Sequence, residues 1–127
     1  MARMTDQPID AEFRQATSLR DAGDLDAARA LLEDLSRRHP ATFGTWLVLG
    51  GVQMSQADYV AAEKSFTIAV SLRPRSELAS LSMFHTLTHL GRASDAFAEM
   101  RRFLTLRPES HEYQLLRSEL DGAGKLE

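Results

Sequence analysis

His85 and His89 stand four residues apart in SMFHTLTHL. That spacing puts two imidazoles on one face of a helix, where they could share a metal ion. A zinc site needs three or four protein ligands, and no third is evident nearby; the HExxH arrangement with its glutamate is also missing. The competing reading makes the two histidines polar residues on an exposed helix face. His39 and His111 fall between helical segments and add no signal. No cysteine is present, which removes disulfides, thiolate metal sites and cysteine nucleophiles. Nor does the chain place a nucleophile beside a base or bring carboxylates together in a recognisable pair. Gly50-Gly51 lies inside a helical pattern and not after a strand, so it reads as packing chemistry and not as a dinucleotide loop. Catalysis is not expected, and no metal or cofactor is assigned.

What positions these residues is a repeated helical hairpin. Its clearest copy is TWLVLGGVQMSQADYVAAEKSFTIAVSLRP, Thr45 to Pro74. Trp46, Leu49, Gly50 and Gln53 share one face of a helix, Ala57-Asp58 interrupts it, and Val60, Ala62, Phe66, Ala69 and Val70 mark the packed side of a second. Gly50 and Ala62 allow two backbones to approach closely while Trp46 and Phe66 fill the space around them. The period is 34 residues: Pro40, Pro74 and Pro108 keep it, as do Ala28, Ala62 and Ala96, and Leu32, Phe66 and Met100. The turn inside each copy falls at Gly23, Ala57 and Gly91, again in register.

Period and residue types together resemble the tetratricopeptide repeat family, from about Ile9 to the acidic C-terminal segment. The second copy carries the family's Trp-x-x-Leu-Gly as Trp46, Leu49 and Gly50, its alanines as Ala62 and Ala69, its aromatic as Phe66 and its proline as Pro74. In the first copy Glu12 and Gln15 replace the Trp and Leu, while Ala16, Leu19, Ala28, Leu32 and Pro40 hold; a terminal repeat facing water is expected to be atypical. The resemblance implies an all-α, right-handed α-solenoid in a single domain, with repeats at about 9–42, 43–76 and 77–110 and a capping helix at about 110–121. Helices are predicted at 9–21, 24–38, 43–55, 58–72, 77–89, 93–106 and 110–121. Asp24, Asp58, Ser76 and Ser110 are placed to cap, and the run from Lys125 to Glu127 is expected to fray. In the last helix Tyr113, Leu116 and Leu120 recur at helical spacing above a polar face. In the third copy Phe84 stands where the others have Ala16 and Gly50. The expected compensation is Ala93, which replaces Leu25 and Tyr59.

In this family the first helix of each pair lines a concave groove. Matched copy by copy, the groove is expected to be lined by Phe13, Thr17 and Arg20, by Leu47, Gly51 and Met54, and by Leu81, His85 and Thr88. The segment 43–55 is apolar on more faces than one hairpin needs: Trp46 and Leu49 take the packed face, with Leu47, Gly51 and Met54 about 100° round from it. Either neighbouring repeats or a ligand must cover the extra face. Many co-chaperones of the family bind acidic heat-shock chaperone tails through a clamp of lysine, asparagine and arginine. The corresponding positions here hold Phe13, Thr17, Val48, Leu78 and Ser82, so the donors for a terminal carboxylate are missing.

Composition sets the outer bounds. A 127-residue chain that is 43% hydrophobic and 26% charged suits one globular domain, and no apolar run approaches the ~18 residues of a membrane span. MARMTDQPID lacks the apolar stretch of a secretory signal, which predicts a cytoplasmic protein. A net charge of −3 argues against nucleic acid as a partner. Residues 75–108 carry +2 and residues 109–127 carry −3, read as solvated surface pairing. Thirteen of the fifteen basic residues are arginine, with Lys64 and Lys125 the exceptions, a bias associated with GC-rich bacterial genomes. The expected role is a protein-interaction module, adaptor or chaperone-like, that captures a protein or peptide segment in an apolar groove, with self-association open. The alternatives are a bacterial type III secretion translocator chaperone and a metal or ligand sensor using His85 and His89.

Overall fold

The computed structural model describes residues 7–122, and side chains from residue 9 onward. Lys125 to Glu127, expected to fray, lie outside the described residues. Among the described residues seven helices follow one another: α1 (Gln7–Asp21), α2 (Leu25–Arg38), α3 (Phe43–Ser55), α4 (Tyr59–Leu72), α5 (Glu77–His89), α6 (Ala93–Leu106) and α7 (His111–Gly122). From α1 to α6 consecutive helices pack on one another, and α3 also touches α1 and α5, so the first helices of the hairpins lie side by side. Among the described residues no helix is long and apolar enough to cross a membrane.

Local chemistry starts and stops these helices. Asp24, Asp58 and Ser76 accept hydrogen bonds from the backbone N–H groups of Ala27, Ala61 and Ala79, and Ser110 Oγ does the same for Tyr113. Arg92 occupies the capping position in the third hairpin and makes no such bond. Within each hairpin the chain reverses through a left-handed residue: Gly23 at φ 86°, Ala57 at φ 59° and Gly91 at φ 74°. The next N–H, of Asp24, Asp58 or Arg92, then returns 2.9 Å to the carbonyl of Leu19, Gln53 or Leu87. Alanine bears a Cβ cost in that conformation which glycine does not.

Gly50 marks the closest approach in the second hairpin. A Cβ added there would lie 2.6 Å from the Phe66 ring, so only glycine fits. The first hairpin solves the same contact with Ala16 and Leu32, both fully buried. In the third, Phe84 takes the first-helix position and shares a buried cluster with Met100, Leu87, Phe103 and Tyr113. The bulk has moved from the second helix to the first, with the slender Met100 standing in the Phe66 register. The expected partner Ala93 is exposed on the first turn of α6 and outside that cluster, so the compensation runs through Met100 instead. Phe84 also meets Tyr113 at 5.8 Å between ring centroids and Phe97 at 6.2 Å.

Polar contacts join neighbouring hairpins. Arg29 of α2 pairs with Asp58 at 2.9 Å, and at the same two registers one repeat later Glu63 pairs with Arg92 at 2.6 Å, with the charges reversed. The Arg29 guanidinium, and then the Ala61 N–H, hold the Asp58 carboxyl below the usual carboxylate range. At the C-terminal end, Tyr113 of α7 is fully buried. Ser80 Oγ donates to Glu99 Oε2 at 2.6 Å, which leaves it to accept from the Tyr113 hydroxyl at 2.8 Å, and Arg102 holds both oxygens of Glu99. Burial pushes the Tyr113 phenol up, so it serves as a neutral donor. Leu116 and Leu120 pack beside it, while Glu112, Arg117, Glu119 and Asp121 face water. This is the apolar-inside, polar-outside pattern expected of a cap.

Two stability changes follow. Ala57→Gly relieves a left-handed alanine and is expected to stabilise the chain by about 0.5–1 kcal/mol in thermal or denaturant unfolding. Phe84→Gly and Met100→Phe should each destabilise by about 1–5 kcal/mol, one by a cavity and the other by overpacking. Together they should cost less than their sum by at least about 0.5 kcal/mol. Ala93→Tyr, on the surface, should fall within about 0.5 kcal/mol of the parent.

Candidate functional site

Helix α3, FGTWLVLGGVQMS, carries no charged residue. Its buried positions are Thr45, Leu49, Gly50, Val52 and Gln53. Leu47, Val48 and Met54 are half-buried and Gly51 is exposed, so an uncharged strip faces away from the hairpin core. Leu47, Val48 and Gly51 line a concave pocket of about 330 Å³ together with Arg20 of α1, Leu78 and Ser82 of α5, and Phe66. Leu78 is 62% exposed, a large apolar side chain with little of its own chain to cover it.

Of the nine residues assigned to the groove, the pocket brings together Arg20, Leu47 and Gly51. Phe13 lies one step away, in a 220 Å³ cleft with Ile9, Thr42 and Gly44, its ring 3.7 Å from where a Gly44 Cβ would stand. Thr17 and Thr88 turn their hydroxyls to their own helices, donating to the carbonyls of Arg14 at 3.0 Å and Phe84 at 2.9 Å. The Met54 sulfur lies 3.1 Å from Thr86 Oγ1, a contact that spans α3 and α5, while the Thr86 hydroxyl donates to the Ser82 carbonyl at 2.7 Å. Leu81 packs against the third hairpin's core and is partly withdrawn from the surface. His85 is exposed beside the Phe84 ring, and His89 stacks on Tyr59 with centroids 4.6 Å apart and planes 4° from parallel. Among the described residues no group of three or more histidine, cysteine, aspartate or glutamate side chains is placed to hold a metal ion.

Val48, Leu78 and Ser82 were placed by the sequence at clamp positions only, and the structure adds them to the pocket wall. Their signal was the register match between copies, since they occupy groove-facing positions of α3 and α5. Charge is sparse here. Arg20 is the charged residue among the described residues lining the pocket, and its pair with Asp21, at 2.9 Å, is exposed on both sides. Such a pair contributes little and competes weakly with a ligand.

The two glycines of α3 differ in cause. Gly50 is forced by Phe66, whereas a Cβ at Gly51 would have no neighbour within 4 Å. Nothing in the fold requires glycine there, and glycine in a helix interior is worse than alanine by roughly 0.5–1 kcal/mol.

Residues 13–77 match the family model described as tetratricopeptide repeat. The chain belongs to this family. Among solved structures, a tetratricopeptide repeat protein from Parabacteroides merdae superposes with a TM-score of 0.81 at 25% identity, covering 90% of this chain but 46% of the other. This tetratricopeptide chain thus spans about half the length of that relative. The Yersinia enterocolitica type III secretion chaperone SycD, in complex with a peptide of the translocator YopD, gives 0.77 at 14% identity over 91% of this chain and 88% of its own. The first tetratricopeptide repeat domain of Spaghetti (RPAP3), bound to the HSP90 peptide SRMEEVD, gives 0.78 at 16% identity over 92% and 93%. At those identities the likeness concerns the fold. No curated protein matches the sequence significantly.

Because Gly51 has no packing role, Gly51→Ala is expected to raise stability by about 0.5–1 kcal/mol, whereas Gly50→Ala should lower it against the Phe66 ring. Parallel thermal melts of the two variants check the contrast.

Proposed function

We propose that this chain is a non-catalytic protein-interaction module that captures a short segment of a partner protein in its concave groove, centred on Leu47, Val48, Gly51 and Leu78. One observation carries the reading: an uncharged helix, α3, turns a half-exposed apolar strip into an open pocket that the chain's own side chains leave unfilled. Apolar anchors set among polar surroundings are how such interfaces gain most of their affinity. The structures of SycD with a YopD peptide and of RPAP3 with an HSP90 peptide support a peptide as the ligand class, since both folds hold one. The positions of a charged clamp hold Phe13, Thr17, Val48, Leu78 and Ser82 here, so the ligand proposed for this chain is held by apolar contact and not through a terminal carboxylate.

A narrower form of the reading is a chaperone that shields an apolar segment of a secreted translocator. A fold shared with SycD over most of both chains supports it. Identification of the partner as a secreted, apolar-segment protein separates this form from a general adaptor. A cytoplasmic site of action belongs to the same proposal. Metal sensing through His85 and His89 is the less supported alternative, because His89 is engaged with Tyr59. An unchanged melting temperature on adding zinc would remove it.

The test compares Leu47→Asp with Phe66→Asp. Leu47 is half-exposed, so its variant should keep the helical signal and nearly the parental melting temperature. A partner isolated on the intact protein should bind that variant about 2 kcal/mol more weakly, or worse. Phe66, buried against Gly50, should unfold its hairpin when charged. Equal destabilisation by both changes would mean that Leu47 is core and would overturn the groove reading.

A further inference from the structure

The empty space above Gly51 has a chemical meaning beyond general capture of a segment. Gly51 lies within α3, meets nothing within 4 Å of a Cβ position, and weakens its helix relative to alanine. A glycine without a packing role, on the wall of an open pocket, lets another molecule come down onto the helix backbone. We propose that the Gly51 pocket is the anchor subsite of the groove. It takes one bulky apolar side chain, aromatic or long aliphatic, from a partner segment whose adjacent residue is aspartate or glutamate facing Arg20. This rests on the peptide-capture reading and specifies its ligand.

Three features favour that occupant. The space, about 330 Å³, exceeds what a small side chain would fill, and a small one would leave the walls under-packed. Leu47, Val48 and Leu78 form most of those walls, with Ser82 and Arg20 the polar groups among the described lining residues, so an apolar group seated on them removes surface on both sides from solvent. The charge is one-sided. Arg20 lines the pocket with no carboxylate beside it among the described lining residues, and its partner Asp21 is 69% exposed and easily shared. The guanidinium can pair with a carboxylate and lie over an aromatic ring at once. A basic neighbour would meet Arg20 unfavourably.

The experiment uses the intact chain and short fluorescein-labelled peptides built on one Gly-Ser host with a central Glu-X pair, X being Ala, Leu, Phe or Trp. Binding is read by anisotropy. With the parent chain, affinity should climb from Ala to Leu to the aromatics by roughly 10-fold or more. Gly51→Leu, which fills the pocket from within, should flatten the series while melting no lower than the parent, and Gly51→Ala should do so partly. Replacing the peptide's Glu by Lys should weaken binding, and Arg20→Glu should restore it for the Lys peptide. A slope kept intact in both Gly51 variants, with Leu47→Asp still weakening every peptide, would sink the subsite and leave groove capture standing. Failure of all peptides to bind, or indifference to Leu47→Asp, would sink both. If Arg20→Glu does not restore the Lys peptide, the acidic neighbour is wrong.

Discussion

How closely the two helices of a hairpin approach is set by one pair of side chains in each repeat, and the rest of the molecule is arranged around those three pairs. Ala16 with Leu32, Gly50 with Phe66, and Phe84 with Met100 solve one packing problem with different divisions of volume. A close-packed interface tolerates bulk moved across it far better than bulk added. In the second hairpin the solution is extreme, since Phe66 occupies the space that a side chain at position 50 would need. About 100° round α3 the next residue, Gly51, lines the pocket under no such constraint.

Polar contacts do a different task. They tie each hairpin to the next. The pair Arg29–Asp58 and its reversed counterpart Glu63–Arg92 join successive repeats at the same registers, and moving one repeat out of order would oppose like charges. These pairs are partly exposed and add little stability individually. At the C-terminal end the fastening is buried: Ser80, Glu99, Arg102 and Tyr113 satisfy one another across α5, α6 and α7. Buried polar groups of this kind are costly when any member is missing, so α7 docks in one position.

Charge is thus spent on junctions and outer faces, and α3 carries none. Among the described residues its pocket is lined by Leu47, Val48 and Leu78 with Arg20 as the charged group, a lining suited to apolar burial and unlike a ring of donors for an acidic tail.

Much of this architecture was legible in the sequence because it depends on residues close in the chain. The 34-residue period, the caps at Asp24, Asp58 and Ser76, and the turn residues respond to neighbours within about one helical turn. Register alone placed Ala57 at the turn with Gly23 and Gly91, and the structure adds that all three are left-handed. Of the stripe read from the sequence, Arg20, Leu47 and Gly51 line one pocket. What only the tertiary structure decided is where one helix meets another across that stripe. It assigned Met100, not Ala93, to Phe84, drew Leu81 toward the core, added Val48, Leu78 and Ser82 to the pocket wall, and joined Ser80 to Glu99 and Tyr113. A helix's own periodicity fixes which residues share a face, but the rotation of that face against the next helix is set by side-chain volumes 16 or more positions away, as between Phe84 and Met100, and no local pattern encodes it.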